Sequence, residues 1–229
     1  MLIYYSKYVN FVKGMVKMVK EIIKALEREY PDAKCSLDFN TPLELLIAVI
    51  LSAQSTDAMI NKITPKLFSE LKTAKDFAKC DIKKLEGLIK SSGFYHNKAK
   101  NIKAACIVID EKYNGVVPKT MEELTALPGV GRKTANVVLL NAFNICEGIA
   151  VDTHAKRLSN RIGLSNQDDP LKIEQDLLKI IPKSDWYKMN HLFVYHGRET
   201  CTSRKPKCNS CCIKKWCKKM KILSAELAP

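Results

Sequence analysis

Long apolar runs are missing from this 229-residue chain. No stretch approaches the roughly 18 apolar residues that cross a bilayer, which excludes a helical membrane span. The opening MLIYYSKYVNFVKGMVKMVK has lysines scattered through it and no apolar block before small residues, so it does not read as a secretory signal. It has no acid before Glu21, but it also has no arginine and little serine, and an intracellular setting is expected. Strict polar–apolar alternation is absent, which removes half-buried strands. Internal repeats and low-complexity linkers are absent too. Acids are scarce: 24 Asp+Glu stand against 38 Lys+Arg, a formal net charge of +14. That excess attracts polyanions, of which nucleic acid is the commonest. What is present is an ordinary globular balance, 46% hydrophobic and 27% charged, enough for one large domain or two modest ones.

The nine cysteines divide unevenly. Cys35, Cys80, Cys106 and Cys146 are scattered in or beside apolar stretches and read as small buried hydrophobes. The other five fall between Cys201 and Cys217. An odd total, no secretion signal and one dense group point to metal ligation in a reducing compartment. Cys201, Cys208, Cys211 and Cys217 have the spacing C-x6-C-x2-C-x5-C, and Cys212 creates a second register. Four thiolates from such a loop hold either zinc or an iron–sulfur cluster, and the spacing leaves both open.

Helical periodicity dominates, so the expected fold is all-α. A first helix is expected over Val12–Tyr30, stopped by Pro31. Thr41-Pro42-Leu43-Glu44 reads as a helix start with a capping box. The helix behind it, ELLIAVILSA, is apolar nearly all round and belongs at the centre of a core. Further helices are expected from Thr64-Pro65, from Asp81 to Gly93, and from Asn97 to Asn114-Gly115. Thr120–Glu123 is a second capping box. After Leu127-Pro128-Gly129-Val130-Gly131 comes a helix from Arg132 to Ala142. Helices near Thr153–Ile162, Pro170–Ile180 and Ser184–Gly197 precede the cysteines. His154, His191 and His196 show no metal spacing and are read as packing or phosphate contacts.

The LPGVG segment joins two helices by a tight hairpin, in which Gly129 and Gly131 allow positive φ and close backbone approach. The following helix then presents free amides and the positive end of its dipole, the makings of a phosphate site. Such a grip holds a strand without reading its sequence. By itself, however, a turn of this kind is more often a connector.

The surrounding text carries more. LPGVGRKTANVVL, followed about twenty residues on by Val151-Asp152-Thr153-His154, resembles the helix-hairpin-helix base-excision DNA glycosylases, in particular the endonuclease III family. The likeness extends from about Ala25 to Cys217. It implies a bifunctional glycosylase and AP lyase that excises oxidised pyrimidines of the thymine-glycol type and nicks the strand by β-elimination. It assigns Lys133 as nucleophile and Asp152 as its catalytic partner. The chemistry suits them: an amine attacking C1′ forms a covalent imine, and a helix start disfavours a further positive charge on that amine. As the base leaves, positive charge develops on the sugar, where a carboxylate stabilises it.

The same resemblance implies a [4Fe–4S] cluster on Cys201, Cys208, Cys211 and Cys217, with Cys212 extra. Between Cys201 and Cys208 the loop TSRKPK would then present Arg204, Lys205 and Lys207 to phosphates. Nine Lys/Arg meet one acid, Glu199, between Gly197 and Lys221. A glycosylase must also extrude its nucleotide and fill the gap. The matching fillers are Gln54 in LSAQSTD and Phe94 in GFYHNKA, an apolar wedge of the kind that unstacks bases. Phe94 stands where the family usually has leucine, His96 where it has asparagine, and Thr125 where bacterial relatives often carry an acid.

The expected architecture is two-lobed. A contiguous helical barrel covers 35–146 with the hairpin, and a discontinuous iron–sulfur lobe combines 1–34 with 147–229. Lys133 and Asp152 are expected to face each other across a cleft. The partner expected is double-stranded DNA with a damaged base or abasic site, met by a monomer away from any membrane. Rival readings are a monofunctional mismatch glycosylase, which generally lacks the post-hairpin lysine, a non-catalytic Fe–S DNA-binding protein and a zinc-bearing nucleic-acid module.

Overall fold

The computed structural model describes the backbone of residues 2–220 and the side chains of residues 13–220. Among the described residues the fold is all-α, as expected, with no strand. The helices are α1 (Leu2–Glu29), α2 (Pro42–Ser52), α3 (Asp57–Glu70), α4 (Ala74–Lys79), α5 (Ile82–Ile89), α6 (Tyr95–Tyr113), α7 (Met121–Thr125), α8 (Arg132–Phe143), α9 (Thr153–Ile162), α10 (Pro170–Ile180) and α11 (Trp186–Glu199). They fall into two compact units, Cys35–Glu147 and the combination of Met1–Lys34 with Gly148–Pro229.

In the contiguous unit α2 is the central element. Leu45, Leu46, Ile47, Ala48 and Leu51 are all essentially inaccessible, so the helix is wrapped on every side. It packs against α3, α6 and α8, while α6 packs on α4 and α5. Phe77, Leu85, Ile102 and Val138 fill the same core, and each such side chain contributes about 1.5–3 kcal/mol by leaving water. In the discontinuous unit α1 packs on α10 and α11, and α9 on the same two helices. Ile22, Leu26, Leu158, Leu177 and Phe193 form its core.

Local chemistry explains where the helices begin. Thr41 caps α2 by accepting the Glu44 amide at 3.2 Å. Glu44 reaches past Thr41 to the Asn40 amide at 2.6 Å, so the expected box is only half formed. The expected start at Thr64-Pro65 is wrong. Helix α3 starts behind Thr56, whose hydroxyl accepts the Met59 amide at 3.3 Å, and runs through Pro65. The buried stripe Ile60, Ile63, Thr64 and Leu67 holds it together across the one donor that proline removes. Asn97 is likewise not a cap: α6 begins two residues earlier, behind Phe94 in a left-handed conformation. The first helix begins at Leu2 rather than Val12. The helix expected from Ser184 begins at Trp186, after a single turn over Lys183–Asp185.

Candidate active site and cysteine pocket

The hairpin between α7 and α8 is anchored from inside by Leu127 and Val130, 2% and 6% exposed. Its bend is closed by the Val130 amide on the Leu127 carbonyl at 3.1 Å. Gly129 has φ +76°, and a Cβ there would lie 2.7 Å from Asn101 Cβ on α6. Only glycine fits that position. Gly131 differs from expectation: its φ is −90°, and a Cβ there would meet nothing within 4 Å. The room in front of it is therefore open. Helix α8 follows, and its N-cap, Gly131, supplies no side-chain cap. Lys133, in that first turn, is exposed and makes no hydrogen bond or ion pair among the described residues.

Two other expected site residues of this unit sit at exposed bends. Gln54, between α2 and α3, has φ +54°; Phe94, the residue before α6, has φ +48° and is 67% exposed. A side chain in the left-handed region costs about 1 kcal/mol or more. Strain of this kind concentrates at functional positions. Phe94 belongs neither to the core nor to the hydrophobics packed against it, which argues against simple core packing.

In the discontinuous unit, Asp152 caps α9 by accepting the Ala155 amide on Oδ1 at 2.7 Å. Its second carboxylate oxygen has no hydrogen-bond partner among the described residues. Two residues on, His154 packs so closely on Gly197 that a Cβ there would lie 2.7 Å from the ring. Burial pulls His154 below its usual pKa. His191 and His196 are buried on α11, and burial takes His196 down to about 4. His196 Nδ1 shares a hydrogen bond with the Tyr30 hydroxyl at 3.1 Å, so of the two readings expected for these histidines their burial favours packing.

Cys201, Cys208, Cys211 and Cys217 line one small pocket, backed by Leu158, Ile162 and Ile213. Cys212 is not in that wall. No three His, Cys, Asp or Glu side chains among the described residues converge as a site for one ion. Four thiol sulfurs around one pocket are a donor set that a metal cluster uses, so the residues present fit such a group. The basic loop rises beside them: Arg204, Lys205 and Lys207 are exposed, and the Lys207 amide bonds the Thr200 carbonyl at 2.9 Å.

Sequence reasoning missed the residues that hold this loop. Arg157 Nε donates to the Cys201 carbonyl at 3.0 Å and Nη2 to Gly197 at 2.8 Å. Arg161 Nη1 donates to Cys201 Sγ at 3.3 Å and to the Thr202 carbonyl at 2.7 Å, and Nη2 to Ser203 at 2.9 Å. Their four-residue spacing on α9 puts both on one face, the available signal. Lys98 was missed as well; it is a lysine in the buried stripe of α6 with Ala99, Ile102, Ala105, Cys106 and Ile109.

The profile described as HhH-GPD superfamily base excision DNA repair protein matches residues 47–183, which include the hairpin, Lys133 and Asp152. That places the chain in the helix-hairpin-helix class of base-excision repair proteins. Endonuclease III of Synechocystis sp. is 52% identical over 197 residues, 86% of this chain and 90% of its own length. A non-covalent endonuclease III–DNA complex superposes with a TM-score of 0.86 at 43% identity, covering 92% of this chain and 98% of that one. A trapped endonuclease III–DNA covalent intermediate does so with a TM-score of 0.86 at 43% identity, covering 91% and 98%. The chain belongs to the endonuclease III family: it is a DNA glycosylase with AP-lyase activity, and DNA is its partner.

Proposed function

We propose that this enzyme acts as a monomer on double-stranded DNA and removes oxidised pyrimidines of the thymine-glycol type, with Lys133 as nucleophile and Asp152 as its partner. The observation that carries the reading is the hairpin: a glycine turn seated on Asn101, a helix start whose N-cap is a glycine, and in its first turn a lysine with no partner among the described residues. The amides at the start of α8 hold a phosphate of the damaged strand, with Gly129 shaping the turn and Gly131 leaving the approach open. Gln54 and Phe94 fill the space left by the extruded nucleotide. Lys133 Nζ attacks C1′, the C1′–N bond to the base breaks, and the base leaves with the electron pair. The free oxygen of Asp152 stabilises the positive charge that builds on that sugar. Nζ gives up its protons and the C1′–O4′ bond opens, its electron pair and a proton going to O4′, which leaves an imine at C1′. Loss of a C2′ proton from that imine expels the 3′ phosphate and nicks the strand. A [4Fe–4S] cluster on Cys201, Cys208, Cys211 and Cys217 supplies structure, fixing the loop that carries Arg204, Lys205 and Lys207 to phosphates.

The decisive test is borohydride trapping on two duplexes, one with thymine glycol and one with a G·T mismatch. An adduct and a nick are expected only on the first. Excision of the mismatched base without any adduct would transfer the enzyme to the monofunctional reading. The two glycines separate fold from binding. Gly129→Ala should lower Tm by roughly 5 °C, because a strained φ and a clash at the fixed end of Asn101 add up. Gly131→Ala should leave Tm within about 2 °C, since its φ and surroundings accept a methyl. It should weaken binding to an abasic duplex about tenfold, by obstructing the amides. Melting curves and fluorescence anisotropy read the two effects independently.

A further inference from the structure

Lys98 is the one lysine of α6 that is buried, 5% exposed in a helix whose other lysines reach solvent or the core's edge. Its ammonium donates to two backbone carbonyls, Leu51 and Ser92, each at 2.7 Å. Those oxygens are therefore at most twice that distance apart, although they lie 41 positions apart in the sequence. Each carbonyl stands at the end of a helical segment: Leu51 in the last turn of α2, Ser92 at the end of the turn Lys90–Ser92. Next after each comes a left-handed residue, Gln54 three positions beyond Leu51 and Phe94 two beyond Ser92. At the first end the Ser55 amide bonds back to Ser52, and the Leu51 carbonyl is taken by the lysine. Burial pulls Lys98 below the usual lysine pKa, a cost its two carbonyl acceptors offset.

We infer that Lys98 is a positioning residue that sets the distance between Gln54 and Phe94, so that the two fillers enter the duplex together. A lone filler could be placed by its own loop; two that must occupy one gap need a common reference, and one ammonium bonded to the helical ends from which both loops depart provides it. This rests on the filling roles given above to Gln54 and Phe94. Lys98 touches no substrate in this reading and acts only through the two loops.

The test compares single-turnover borohydride trapping on one oligonucleotide with an abasic site, as duplex and as single strand. The single strand leaves no gap to fill. Lys98→Met keeps the apolar stem and removes both hydrogen bonds; it should slow the duplex reaction roughly tenfold or more and the single-strand reaction less than about twofold. Lys98→Arg keeps N–H donors and should fold readily, with a duplex rate between the two. In a Phe94→Ala background Lys98→Met should cost less than about twofold more, because the distance it sets no longer matters. Equal losses on both substrates, or full additivity with Phe94→Ala, would show general damage and overturn the inference. If Gln54→Ala and Phe94→Ala slow the duplex while both Lys98 variants match wild type, Lys98 alone is misassigned. If Gln54→Ala and Phe94→Ala leave the duplex rate untouched, the filling roles fail and this inference falls with them.

Discussion

Lys133→Gln is expected to abolish the trapped adduct and the nick while leaving the protein folded and bound to DNA. The reason is positional. Lys133 is exposed and makes no hydrogen bond or ion pair among the described residues, so its replacement removes no contact that supports α8. Glutamine keeps a polar side chain of similar reach and a good helix propensity, and Tm should stay within about 1 °C. Binding loses a single positive charge, worth at most about one unit of salt slope, so affinity for an abasic duplex should fall only severalfold. In the proposed mechanism catalysis loses its nucleophile outright. The covalent route splits glycosidic cleavage into two easier steps, and an amide nitrogen cannot form the imine. A rate loss of at least about 10³-fold is expected in single-turnover excision, as for nucleophile removal elsewhere. Gel detection of reduced adducts is the direct measurement. An adduct of undiminished yield from the variant would move the nucleophile to another amine and dissolve the role given to the hairpin lysine.

How much of this could be read from the chain depends on whether a feature is announced by its own residues. Helices α9 and α10 have the bounds that their sequence suggests, because Asp152 and Asp169 each accept an amide three residues on and Gly163 takes the left-handed turn that stops α9. Thr64-Pro65 misled because it is locally the same signal as Thr41-Pro42. The difference is long-range: Thr64 is 2% exposed inside the stripe of α3, whereas Thr41 is exposed and free to cap. Phe94 before α6 carries no sign of a left-handed residue, since aromatic side chains are not chosen for that conformation. The glycines of the hairpin look equivalent in sequence, and only packing against Asn101 shows that one supplies φ and the other supplies space. Lys133, the proposed nucleophile, and the cysteines were legible as chemistry. The residues that hold other residues, Lys98, Arg157 and Arg161, were not. Their side chains are charged, and their partners are mostly backbone carbonyls that have no signature in the sequence.

Cys208→Ser is the second change with a large expected effect, and Cys212→Ser is its control. Cys208 lies in the wall of the pocket, and Cys212, four residues further along, does not. Loss of one of four thiolates should release iron, seen as loss of the broad absorption near 400 nm that marks a [4Fe–4S] protein. The two ends of the basic loop should then respond differently. Arg157 and Arg161 continue to hold the carbonyls of Cys201, Thr202 and Ser203, so the first end stays tied to α9. The second end has the Lys207 amide on Thr200, while the Cys211 amide on the Cys208 carbonyl and the Ser210 hydroxyl on the Lys207 carbonyl are bonds within the cysteine segment; without a metal ligand at Cys208 no arginine ties that end to α9. Arg204, Lys205 and Lys207 would lose their fixed spacing rather than their charge. Binding to an abasic duplex should weaken roughly tenfold, and the slope of log K against log salt should shrink by about 2 to 3 as these phosphate contacts disengage, at about 0.9 per contact. Helix α8 and Lys133 belong to the other unit, so trapping at saturating protein should persist at a reduced rate. Cys212→Ser should retain iron, affinity and slope. An iron-free Cys208→Ser protein that binds with the affinity and salt slope of wild type would sink the structural role of the cluster, and the basic loop would then have to be held by its two arginines alone.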